Sequence, residues 1–94
     1  MILVIVRHKV EDYAQWHKVF TEHGAVRKSH GSKGARVLRN LNDDHEQFVI
    51  SDWDTMEAAR AFVEDPRLRE AMQRAGVTDK PDIYFVEQSD TQDY

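Results

Sequence analysis

The chain has 94 residues, enough for one hydrophobic core and too few for two independent ones. Asp and Glu (17) outnumber Lys and Arg (13), for a formal charge of −4 with the five His neutral, which disfavours polyanionic partners. There is no cysteine, so disulfides, thiolate nucleophiles, iron–sulfur clusters and Cys-ligated zinc are excluded.

The first predicted element is a strand. Ile2 to Val6 is an unbroken aliphatic run without a polar face, the pattern of a strand covered on both sides. It is too short for a signal peptide and runs directly into Arg7-His8-Lys9. No segment approaches the length of a membrane span. No targeting segment or membrane association is expected, and a cysteine-free chain suits the cytoplasm.

A helix follows. Asp12 and Gln15 have capping spacing, and Tyr13, Trp16, Phe20, His23 and Arg27 recur at intervals of three and four along one face. Two glycines in Ser29–Gly34 end it. Gly34 to Leu41 and Glu46 to Trp53 alternate as strands, joined by turn chemistry at Asn42-Asp43-Asp44-His45. Phe48 and Ile50 share one side of the second of these, Val49 and Trp53 the other.

A further helix begins at Asp54 and Glu57, again with capping spacing, and carries Met56, Ala59, Phe62 and Val63. Pro66 interrupts it; Asp65 reads as the cap and Pro66 as the first residue of another helix bearing Leu68, Ala71, Met72 and Ala75. Gly76 with Val77 reads as its stop. Asp82 to Gln88 is the last strand, and residues 89–94 form a polar tail to a single domain over 1–88.

The order is β-α-β-β-α-β, an α+β chain with a ferredoxin-like antiparallel sheet and helices on one face. Strands apolar on both sides leave the other face greasy, so a second copy is expected to pack there, sheet against sheet, as a homodimer.

These features are similar to the dimeric α+β barrel superfamily, and within it to the antibiotic-biosynthesis-monooxygenase-like group. The likeness rests on the strand ending in Arg7-His8-Lys9, the Trp16/Phe20 helix, and Ser51-Asp52-Trp53-Asp54 leading into Glu57-Ala58-Ala59-Arg60-Ala61-Phe62. It implies a small-molecule pocket between sheet and helices in each subunit, and a role such as cofactor-independent oxygenation of polycyclic aromatics, haem degradation or polyketide cyclisation. Met56 to Ala75 has no histidine, which departs from the haem-degrading relatives, so no cofactor is expected. The oxygenase relatives use Asn and Trp near the junction where Trp53 stands beside Ser51 and Asp52.

His23 is the leading candidate base, since an imidazole titrates near neutrality, and Arg27 one turn on is suited to anchor a carboxylate, phenolate or enolate. The plain alternative is a half-buried His beside an Arg that snorkels to water. His8, last of the Val4/Val6 face, stands at the cavity mouth or in solvent. Tyr84 is a candidate proton donor. Trp16, Phe20, Trp53 and Phe62 form either an aromatic wall or ordinary core.

His17 reads as a flank residue, and His23 and His30 are too far apart to chelate a metal. The acids around His45 fit no calcium loop, so no metal site is expected. Gly31-Ser32-Lys33-Gly34 reads as a plain loop, because a phosphate cradle follows a strand and precedes a helix. Arg27, Lys28, Lys33, Arg36 and Arg39 cluster in sequence without any RNA-binding signature, and no nucleic acid is expected. The expected function is a cofactor-independent monooxygenase-like or cyclase-like enzyme for an aromatic or polyketide-type compound. The alternatives are a non-catalytic dimeric ligand-binding or accessory module, and a purely structural partner.

Overall fold

The aliphatic run at the amino terminus forms β1 (Ile2–Lys9), and the chain continues through α1 (Tyr13–Glu22), α2 (Gly24–Ser29), β2 (Gly34–Asn40), β3 (Asp43–Trp53), α3 (Met56–Glu64), α4 (Pro66–Arg74) and β4 (Asp82–Glu87). The structure, a computed structural model, describes all 94 residues. The four strands form one sheet in the order β2-β3-β1-β4, every pair antiparallel, which is the ferredoxin-like arrangement. No helix is long and apolar enough to cross a membrane.

Register decides which side chains meet the helices. Opposed residues of an antiparallel ladder share a face. Val4 lies opposite Ser51 and Phe85, and Val6 opposite Val49 and Ile83, so these side chains share the helix-facing side. Val4, Val6, Val49 and Trp53 are buried there with Trp16 and Val19 of α1, Ala59 and Phe62 of α3 and Ala71 of α4. Leu3, Ile5, Phe48 and Ile50 belong to the opposite face, which no helix covers. Tyr84 pairs with Ile5 and therefore also points away from the helices.

The caps follow from the sequence, with corrections. Asp12 accepts from the Gln15 amide and Asp65 from the Arg67 amide, with Pro66 opening α4 as expected. The cap of α3 is Thr55, not Asp54: its hydroxyl accepts from the Ala58 amide. Gly76 closes α4 with φ +79°, where a side chain would be strained, and the Val77 amide returns to the Met72 carbonyl at 3.1 Å. The first helix is not continuous to Arg27. It breaks at His23, whose carbonyl accepts from both Val26 and Arg27. The hairpin is also tighter than expected, because β3 already begins at Asp43, and a register shift at Arg39/Asn40 accommodates the difference.

Candidate functional site

A narrow cavity of about 60 Å3, open to solvent at its mouth, lies between the helix-facing side of the sheet and the helices. β1 contributes Val6 and His8, β3 Val49 and Ser51; Trp16, Phe20 and His23 descend from α1 and its junction with α2, and Phe62 closes one wall from α3. The walls are mostly apolar. Four polar side chains interrupt them: His8, His23, Arg27 and Ser51.

His8 is placed by strand alternation, two positions after Val6, and is only 3% exposed. Neither of its ring nitrogens has a hydrogen-bond partner. Its ring centroid is 5.6 Å from that of Trp16. Burial pushes its pKa down to about 4, with Asp79 opposing only in part, so the ring is neutral at pH 7.

His23 occupies the break between α1 and α2. It is buried, and its Nε2 has no partner. Burial lowers its pKa, and the charges of Arg27, Arg67 and Arg74 act in the same direction. A neutral imidazole with an unengaged nitrogen can accept a proton. Arg27 lies over the Phe20 ring, its Cζ 3.8 Å from the centroid. Burial lowers its pKa as well, but a guanidinium stays charged in any protein environment. Gly24 permits this close arrangement: a β-carbon there would lie 3.3 Å from Arg27 Nη2.

Ser51 and Gln47 are polar residues that sequence reasoning missed. Ser51 lines the cavity and accepts a 2.8 Å hydrogen bond from Trp53 Nε1. Gln47, opposite His8 in the ladder, is fully buried; its Nε2 donates to the Asp44 carbonyl and its Oε1 has no partner. The signal was present, since positions 47, 49, 51 and 53 share one strand face and two of them are polar.

The structure therefore gathers His8, His23, Arg27, Trp16, Phe20 and Phe62 around one space. Two expected members stand elsewhere. Trp53 lies behind the wall, its ring 5.2 Å from that of Phe62 and its indole N–H engaged by Ser51. Tyr84 is 55% exposed on the other face of the sheet, so its hydroxyl cannot serve this cavity; alternation along β4 sends it there. His30 also lies apart, bonded to Asp65 at 2.8 Å. No three His, Asp or Glu side chains converge as a metal set would.

A profile of the antibiotic biosynthesis monooxygenase family matches residues 1–74. No curated protein matches. Several solved structures share the fold. A candidate antibiotic biosynthesis monooxygenase of Bordetella bronchiseptica superposes with a TM-score of 0.79 at 14% identity, over 93% of this chain and 95% of that one. SnoaB, a cofactor-independent oxygenase of Streptomyces nogalater, gives 0.71 at 20% identity, over 94% of both chains. The ActVA-Orf6 monooxygenase of Streptomyces coelicolor, solved with nanaomycin D, gives 0.68 at 20% identity over 97% of this chain and 89% of that one.

Proposed function

This chain belongs to the antibiotic biosynthesis monooxygenase family, and on that premise we propose that it binds a flat aromatic or polyketide-type compound and oxygenates it without a cofactor. The observation that carries the reading is a pair of neutral, buried imidazoles with unengaged nitrogens beside a guanidinium, in an otherwise apolar cavity.

His23 is the base and Arg27 the anion anchor; His8 and Ser51 orient the ligand, and Trp16, Phe20 and Phe62 bound it. His23 takes a proton from a C–H flanked by aromatic or carbonyl groups, and the carbanion delocalises onto oxygen, where Arg27 stabilises it. Dioxygen accepts the electron pair as a C–O bond forms. The imidazolium returns its proton to the peroxide; the second hydrogen of that carbon then leaves with the distal oxygen and its proton as water, the O–O bond breaks, and a new carbonyl remains. A substrate carrying its own electrophilic carbonyl would close a ring from the same carbanion, which is the cyclase variant.

A hydroxylated anthrone, with an acidic methylene between two rings, is the test substrate. Wild-type protein is expected to accelerate oxygen uptake above autoxidation, and His23→Ala and Arg27→Ala to abolish the acceleration. Tight binding with no acceleration would instead favour an accessory ligand-binding module. Variants that accelerate oxygen uptake as much as the wild type would overturn the assigned roles.

A second copy covering the open sheet face completes the proposal. Leu3, Ile5, Phe48 and Ile50 continue through Leu38 and Tyr84 as an apolar strip, and the last two are 48% and 55% exposed. Charges rim one end, where Arg7 bonds Glu46, Asp79 and Asp82. The reducing cytoplasm suits a chain without cysteine.

A further inference from the structure

Arg27 borders two spaces. Inward it lines the apolar cavity; outward it lines a cleft with Lys28, Ser32 and Lys33, and Phe20 is the other side chain common to both. The Phe20 ring covers one side of its guanidinium, but no carboxylate lies within ion-pairing reach, and burial alone acts on it. Lys28 and Lys33 are exposed beside it. The one acid that answers this group is Asp54, 3.3 Å from Lys33 in a solvent-exposed pair that contributes little. A chain of net charge −4 thus gathers three cations at the opening of its greasy cavity.

We infer that the ligand carries an anionic substituent, a carboxylate or sulfonate, which leaves the apolar cavity past Arg27 and binds in the cleft between Lys28 and Lys33. The inference rests on the small-molecule reading of the cavity and deepens it, since only a ligand with an acidic group would engage the cations of the outer cleft. Arg27 contacts the junction between ring system and acid, and the lysines supply charge with little demand on geometry, while the Ser32 hydroxyl, donated to the Gly34 carbonyl at 3.2 Å, shapes the loop. The glycine-rich loop read from sequence as a plain connection is thereby one wall of the subsite.

The test uses two fluorescent dyes with the same aromatic frame, 8-anilinonaphthalene-1-sulfonate and neutral N-phenyl-1-naphthylamine. Wild-type protein is expected to bind the sulfonate about tenfold more tightly, the factor one charge-assisted hydrogen bond supplies. The Lys28→Gln/Lys33→Gln double variant, altered only at exposed positions, should lose most of that preference and bind the neutral dye unchanged. Leu38→Lys, on the far side of the sheet, should alter neither affinity. Equal affinities in the wild type, or an equal loss of both dyes in the double variant, would overturn the anionic subsite and leave the cavity reading intact. Weakening of both dyes by Leu38→Lys would place them on the open face and overturn the subsite. If neither dye binds, the subsite and the small-molecule reading fall together.

Discussion

Trp53 and Ser51 stand two positions apart on β3 and are joined by a 2.8 Å hydrogen bond from the indole N–H to the serine oxygen. Trp53 is completely buried and Ser51 3% exposed, so the indole has no water to turn to if the hydroxyl is removed. Ser51→Ala is therefore expected to cost about 1–3 kcal/mol, the penalty of a buried donor without an acceptor. Ser51→Thr keeps the acceptor oxygen and should cost less. Urea unfolding followed by tryptophan emission measures both, and an alanine variant as stable as wild type would show that the bond contributes nothing.

The buried His8 makes stability depend on pH in a defined direction. Its pKa is about 4 in the folded chain against 6.5 when solvated, so the unfolded state binds the proton first. The contribution is whole above about pH 6.5 and declines as pH falls toward 4, by about 3 kcal/mol across the window. His23, shifted in the same direction, adds to the decline. Asp43 and Glu46, held below the usual carboxylate range first by Lys9 and by Asn40, lose their contribution only at lower pH. His8→Phe should flatten thermal midpoints between pH 4 and 6.5; an unchanged slope would mean that the ring is hydrated or hydrogen-bonded in solution.

The open face of the sheet predicts an assembly. Leu38→Lys and Tyr84→Lys each put a charge into the exposed strip without touching the helix-facing core. Sedimentation at micromolar concentration should give a dimer for the wild type and a monomer for the double variant. A wild-type monomer would remove the second copy from the proposal.

Asp65 joins two parts of the helical layer. One oxygen caps α4 by accepting from the Arg67 amide at 2.9 Å, and the other meets His30 Nε2 at 2.8 Å, from the end of α2. Arg67 first, then His30, hold its carboxyl well below the usual carboxylate range. Asp65→Asn retains a capping oxygen and Asp65→Ala does not, so the alanine variant should melt lower. Amide exchange in the first turn of α4 is the local readout, and equal protection in the two variants would count against the cap.

Most of the architecture was readable because period and punctuation agree along this chain. Asp65-Pro66 and Gly76 bounded α4 from local chemistry alone, and the alternation of β3 gave its two faces. The misreadings have physical causes. Asp54 and Thr55 are both good caps, and only backbone geometry selects between them. Periodicity ran through His23 without a break because the junction of α1 and α2 keeps Phe20, His23 and Arg27 on the cavity side while the His23 carbonyl serves two amides. For the site, helix spacing brought His23, Arg27 and Phe20 together. Tyr84 was lost because an apolar strand without alternation does not say which of its residues face inward, a choice made by pairing with β1.

The hydrogen that stands for a side chain at Gly24 acts as a gauge on the neighbouring cation. A methyl group there would sit 3.3 Å from Arg27 Nη2, closer than such contacts normally come, and the guanidinium over Phe20 would have to give by a few tenths of an ångström. The place of a charge at the cavity is thus adjustable, on the scale of tenths of an ångström, from a position that carries no charge itself.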